Sequence, residues 1–206
     1  MKGIHEVMTE NNKRKKEIEK YLLHQIEECF RCTCRLIQRD VDSCGRQIWK
    51  ELKEKIDEVL QLTSDLQKQN KKGSIQYLVF NFLRNSTSRD KLSLYIQTLD
   101  DSFYLDEQET AVYYYPSFLQ DKYVDDLSCL YRKAEEKFIR LQSYELTSIK
   151  ELYTEFYFSI VFSLIQQLSE LIIKEVIMSN IQVTDSFKII YGEYMDQAIV
   201  IFSKEK

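Results

Sequence analysis

The 206-residue sequence predicts an α+β fold that is predominantly helical, with four long helices packed on a small antiparallel sheet. Three observations carry that prediction. The chain holds only four glycines and one proline, so few residues are present that end helices or shape loops. Apolar residues recur at three- and four-residue spacing over most of its length. In two stretches, 75–98 and 187–202, the pattern shortens toward period two and β-branched and aromatic residues concentrate.

The first helix is read over residues 10–42. Ile18, Leu22, Ile26, Cys29, Phe30, Leu36 and Ile37 share one face. A second helix follows, with Trp49, Leu52, Ile56, Val59 and Leu66 on a heptad-like seam in which Thr63 takes one position. At about 100° per residue the second stripe lies about a third of a turn from the first. A break at Asp42-Ser43-Cys44-Gly45 accounts for that offset, and Lys71-Lys72-Gly73 reads as the end of the second helix.

Ile75–Leu83 and Leu92–Thr98 flank the turn-forming cluster Asn85-Ser-Thr-Ser-Arg-Asp90 and read as a β-hairpin. Asp100-Asp-Ser opens another turn, with short strands expected at 103–105 and 110–115. Pro116 marks a restart. Ser117 with Gln120, and Ser148 with Glu151, have the spacing of capping boxes ahead of two further helices, the second running over 146–178. Its apolar residues (Leu152, Phe156, Ile160, Phe162, Leu164, Leu168, Leu171 and Ile172) wrap most of the circumference, the pattern of a central buried helix. Phe187–Tyr191 and Ala198–Phe202 around Gly192-Glu-Tyr-Met-Asp-Gln197 read as a C-terminal hairpin. A lone hairpin is marginal in water, so this one is expected to join the sheet of 75–98. That makes residues 1–206 a single domain, with 1–12 a mobile tail.

Composition narrows the function classes. Residues 1–75 carry 16 Lys and Arg against 13 Asp and Glu, the remainder 13 against 20, for a net charge of −4. So mild a polarity does not favour nucleic acid as the partner. The N-terminus lacks the apolar core of an export signal, and five cysteines then read as reduced thiols in the cytoplasm. Asn85-Ser-Thr matches a glycosylation acceptor, which carries no meaning without export. The apolar stretch 156–173 contains Gln166, Gln167 and Glu170 and is short for a bilayer, so no membrane span is expected.

Chemistry-bearing clusters are few. Cys29, Cys32, Cys34 and Cys44 offer soft ligands to a metal, as a thiol-ligated metal protein would need. The helical wheel instead sets Cys29, Cys32 and Cys44 on or beside the apolar face, and core packing is the simpler reading. Arg31, Arg35, Arg39 and Arg46 form a basic stripe able to hold phosphates, the alternative function being anion or nucleic-acid binding. Interspersed Glu27, Glu28, Asp40 and Asp42 give it the look of a solvated face. Asp100, Asp101, Asp106, Glu107 and Glu109, then Asp121, Asp125 and Asp126, form an acidic run without a calcium-loop glycine. The two histidines, His5 and His24, have no evident nucleophile beside them, and no phosphate loop or zinc motif occurs. No cofactor is therefore expected, and catalysis is disfavoured. Fourteen tyrosines and eleven phenylalanines, concentrated after residue 75, favour a binding role. The expectation is a non-catalytic protein-interaction or regulatory module. Its contact surface lies in 100–125, with Tyr113, Tyr114, Tyr115, Asp106 and Glu107 at its centre.

Overall fold

The computed structural model describes the backbone of residues 2–83 and 91–204, with side chains from Lys13 onward. The element order is α1 (Lys2–Lys68), β1 (Ile75–Phe82), β2 (Leu94–Leu99), a 3₁₀ turn (Phe103–Leu105), β3 (Ala111–Tyr114), α2 (Ser117–Lys137), α3 (Ser143–Met178), β4 (Val183–Glu193) and β5 (Ala198–Ser203). The architecture is α+β and mostly helical, with three helices among the described residues rather than four, and with a five-stranded mixed sheet rather than an antiparallel one. The chain divides into two compact units, residues 1–43 with 118–157 and residues 44–117 with 158–206.

The helix count changes because α1 runs unbroken through Asp42–Gly45. A glycine in a helix interior costs only about 1 kcal/mol relative to alanine, too little to break a long helix that is packed on both sides of it. The buried residues Ile18, Leu22, Ile26, Thr33, Ile37, Ile48, Leu52, Ile56, Val59 and Thr63 form one slowly drifting stripe. From Ile18 to Thr63 the stripe takes 45 residues for 12 turns, about 3.75 per turn against the 3.6 of the helix, so it drifts steadily around α1, and that drift is the offset that had suggested two helices. Thr33 helped to hide the continuity, because a polar side chain sits where an apolar one was sought. The end of α1 differs too. Asn70, at a φ of 53°, takes the left-handed position. The bonds Asn70 N to Gln67 O and Lys71 N to Leu66 O close a Schellman motif ahead of Gly73.

Unit 1 holds the first part of α1, all but the first residue of α2 and the start of α3. α3 begins at Ser143, five residues before the expected cap. Glu145 Oε2 accepts the Gln142 backbone N–H at 2.8 Å, the reciprocal half of a capping box, and Ser148 bonds the Tyr144 carbonyl as an interior residue. Ser117 Oγ donates to Glu51 at 2.6 Å rather than capping α2. Along its length α3 buries one stripe (Ile149, Tyr153, Tyr157, Val161, Leu164, Ile165, Ile172, Val176) and exposes Ser159, Ser163, Gln166, Gln167 and Glu170, so it is buried on one side only. Among the described residues α3 alone is long and apolar enough to cross a membrane, by length and composition only.

Unit 2 contains the sheet, in the order β3-β2-β1-β4-β5. β1 and β2 form the expected hairpin, with Phe80 opposite Ile96. The turn at 85–90 and the Asn85 acceptor lie outside the described residues, as do the side chains of the tail 1–12, whose backbone from Lys2 onward belongs to α1. β4 and β5 form the second hairpin. The two hairpins join through their first strands, β1 and β4, which run parallel and pair Phe80 with Tyr191, and this makes the sheet mixed. The strand expected at 103–105 is the 3₁₀ turn, entered through Phe103 at a φ of 56°. Gly192 is required where the second hairpin closes: a Cβ there would lie 2.2 Å from the Gln197 carbonyl oxygen.

One sheet face packs on helices. Phe82 stacks on Phe158 at 4.4 Å between centroids, and the Tyr191 hydroxyl donates to the Phe158 carbonyl. A buried hydroxyl chain, Thr63 to Thr98 at 2.7 Å and Thr98 to Thr110 at 2.5 Å, ties α1 to β2 and to the segment before β3. It explains why a threonine occupies the heptad seam. On the other face Val79, Leu99 and Ile190 form a small core covered by Tyr77, Phe103 and Tyr104.

Candidate functional site

The segment 100–115 is organised from within. Lys72 Nζ reaches Asp106 Oδ2 at 2.6 Å, with side-chain exposures of 0% and 2%, and also donates to the Gln108 carbonyl. Asp106 accepts the backbone N–H groups of Asp100 and Gln108 as well. A buried carboxylate needs its lone pairs satisfied, and here one lysine and two amides do so. Asp106 therefore faces inward and shapes the loop, while Glu107 beside it is exposed.

Alternation along β3 then sorts the tyrosine run. Tyr113 and Tyr115 are 51% and 43% exposed, and Tyr114 is buried. The exposed rings stack on each other, with 6.3 Å between centroids and an 11° interplanar angle. Lys91 Nζ lies 3.8 Å from the Tyr115 centroid, a cation–π contact. Tyr113 packs on Tyr95, whose hydroxyl donates to Glu109, and Tyr95 meets Tyr194, which in turn packs on Tyr104. The result is a continuous band of tyrosines bordered by carboxylates. Tyr114 points toward the helices with its hydroxyl unpartnered, and burial pushes its phenol well above the ordinary range.

A second cluster, which the sequence reading missed, lies in unit 1. Asp126 Oδ2 accepts three hydroxyls: Thr33 from α1 at 2.7 Å, and Tyr153 and Tyr157 from α3 at 2.5 and 2.7 Å. Cys29 Sγ lies 3.7 Å from the Tyr153 hydroxyl. The Tyr123 hydroxyl pairs with Thr154 alongside, and its ring meets that of Tyr157 edge-on. Burial first, and Asp126 next, hold the Tyr153 and Tyr157 phenols far above their usual range. Burial pushes the Cys29 thiol up to about 12. At neutral pH these groups stay protonated, so the cluster offers neither a thiolate nucleophile nor a phenolate base. Its chemistry is that of a three-helix tie. The signals were present as Thr33 within an apolar stripe and as Tyr153 and Tyr157 one turn apart, but the acidic run had drawn Asp126 into a different grouping.

The remaining sequence candidates are dispersed. Arg31, Arg35 and Arg39 stand exposed along one face of α1 in unit 1, and Arg46 is exposed in unit 2. Cys32 and Cys44 are exposed rather than packed, while Cys29 and Cys34 are half-buried, and none of the five cysteines is in a disulfide. Among the described residues no three His, Cys, Asp or Glu side chains converge as metal ligands. His24 is exposed. Unit 1 also carries a groove of about 280 Å³ between α1 and α3, floored by Ile18, Leu22 and Ile149. At its rim Arg14 donates to Glu145 at 2.8 Å and holds that carboxyl below the usual range. Comparison with known protein families, with characterised proteins and with solved structures finds no match for this chain.

Proposed function

We propose that the chain is a non-catalytic protein-interaction module that takes a basic, extended segment of a partner protein along the tyrosine-lined edge of its sheet. The observation that carries this reading is the pair Tyr113 and Tyr115, exposed on edge strand β3 and just past its end with their rings stacked. Tyrosines offer a large contact area at low entropic cost, and edge strands accept an added strand through backbone hydrogen bonds. Charge favours a basic partner: Asp101, Glu107 and Glu109 are exposed in the adjoining segment, and the Tyr115 face already holds an ammonium. Five cysteines outside any disulfide suit the reducing conditions of the cytoplasm.

The test is fluorescence anisotropy with extended peptides that alternate Lys or Arg with apolar residues, set beside acidic peptides of the same pattern. Basic peptides are expected to bind, and Tyr113→Ser/Tyr115→Ser to weaken them about tenfold or more with little change in thermal stability, as for truncated aromatic anchors. The reading fails if basic and acidic peptides bind alike or not at all. It also fails if short duplex DNA or RNA binds instead, with a steep salt dependence that Arg31→Ala/Arg35→Ala/Arg39→Ala removes.

A further inference from the structure

Two of the five cysteines stand opposite each other across the helix pair of unit 1. Three side-chain contacts fix how α1 and α2 run there. Lys133 Nζ donates to Gln25 Oε1 at 2.7 Å, Thr33 Oγ1 donates to Asp126 Oδ2 at 2.7 Å, and Lys122 pairs with Asp40. Residue numbers fall on α2 as they rise on α1, so the two helices are antiparallel. Gln25, Cys29 and Thr33 lie one turn apart on a single face of α1. Lys133, Cys129 and Asp126 follow one another at steps of four and three on a single face of α2. Cys29 and Cys129 are therefore the middle rung of a ladder whose two flanking rungs are closed by hydrogen bonds. Thr33 and Asp126 have short side chains that meet directly, so the helices run close at this level. Both thiols of the middle rung are half-buried. After burial and Asp126, charge on Cys129 adds to the upward push on the Cys29 thiol, as it does for neighbouring sulfurs.

We propose that Cys29 and Cys129 form a reversible disulfide that staples α1 to α2 when the protein meets a hydroperoxide. Cys29 stays protonated at neutral pH, so the first step falls to Cys129. Its thiolate attacks one oxygen of hydrogen peroxide: an S–O bond forms, the O–O bond breaks, and the hydroxide that leaves takes up a proton as water. The Cys29 sulfur then attacks the sulfur of the Cys129 sulfenic acid. The S–S bond forms, the S–O bond breaks, and the Cys29 proton departs with that hydroxide as a second water. Two thiols have given up two electrons, and the peroxide has taken them. So small an oxidant suits half-buried sulfurs. A low-molecular-weight thiol reverses the link by exchange, as befits a disulfide made in a reducing compartment.

The full chain is treated with hydrogen peroxide, its remaining thiols are alkylated, and peptide mapping by mass spectrometry reads the pairing. A Cys29–Cys129 link is expected, and dithiothreitol should remove it. Cys29→Ser should leave Cys129 as a sulfenic acid that dimedone traps, whereas Cys129→Ser should leave Cys29 a thiol. Cys32→Ser/Cys34→Ser/Cys44→Ser should form the link as the wild type does, with circular dichroism showing that each variant is folded. The link closes a loop of about 100 residues, so the oxidised chain should unfold at a urea concentration higher by about 1 M or more. The proposal is overturned by a map that joins Cys29 to Cys32 or Cys34, or that joins two copies through Cys32 or Cys44. It is overturned equally if Cys129 is carried on to sulfinic acid while Cys29 remains a thiol, or if dimedone finds no Cys129 adduct in Cys29→Ser. A linked chain that unfolds at the same urea concentration as the reduced one refutes the staple.

Discussion

Replacing Asp126 with alanine removes one oxygen that accepts three hydroxyl groups. Thr33, Tyr153 and Tyr157 are 3%, 0% and 0% exposed, so water does not readily substitute. A buried hydroxyl left without a partner costs about 1–3 kcal/mol. Three of them set an upper range that the half-buried position of Asp126 and rotation of the hydroxyls reduce, and we expect a loss of about 3–5 kcal/mol. Asp126→Asn keeps one neutral acceptor and should lose about 1–2 kcal/mol, while Tyr153→Phe and Tyr157→Phe each delete one donor and should lose about 1–1.5 kcal/mol. Urea unfolding followed by far-UV circular dichroism measures the series, provided the slope with denaturant stays constant. The same cluster predicts alkaline behaviour. The folded values of Tyr153, Tyr157 and Cys29 lie above their unfolded ones, so their contribution is complete below the unfolded values of about 10 for tyrosine and about 8.5 for cysteine and is lost as pH rises beyond them. Stability should fall from about pH 9 upward, less steeply in Asp126→Asn, where part of the upward push is gone. An Asp126→Ala protein within about 1 kcal/mol of wild type would refute the claim that this oxygen ties three helices together.

Two further substitutions test the fold. Lys72→Met leaves the Asp106 carboxylate buried with only its two amide donors and should lose about 3 kcal/mol, the low end for breaking a buried pair. Lys72→Met/Asp106→Asn should recover part of that, and a double-mutant cycle showing no coupling would mean the pair does not shape the loop. Gly45→Ala should raise stability by about 0.5–1 kcal/mol, because a Cβ there meets no atom within 4 Å and alanine favours a helix interior. A loss in urea unfolding would show that α1 is broken at this point.

How much of the fold was legible depended on how local its cause is. Both hairpins could be read, since alternation and turn residues act over a few positions, and so could the restart after Pro116. The parallel junction of β1 with β4 could not. Each hairpin offers two strands to the other, and the choice of first strand against first strand is made by packing between residues far apart in sequence, such as Phe82 against Phe158 and Tyr191. The continuous apolar runs Leu78-Val-Phe80 and Ile189-Ile-Tyr191 were a usable sign that these strands are central. α1 shows the opposite error: most of the stripe was read correctly, although it included exposed Leu36 and omitted buried Thr33, and its slow drift was mistaken for a break.

The candidate site divides along the same line. Alternation along β3 decides that Tyr113 and Tyr115 face solvent and Tyr114 does not, and that much follows from the strand period. Asp106 and Glu107 are neighbours of like charge, and composition cannot separate them. What separates them is Lys72, 34 residues upstream, whose buried ammonium claims one carboxylate and leaves the other to the surface. β5 carries the argument furthest, because its local sequence and its place in the sheet disagree. A run suited to a strand covered on both sides stands here at an edge, where its outer backbone groups template further pairing, and Val200→Lys should leave the fold intact while raising the concentration at which the protein aggregates. Light scattering against concentration reads this, and an unchanged threshold would refute it.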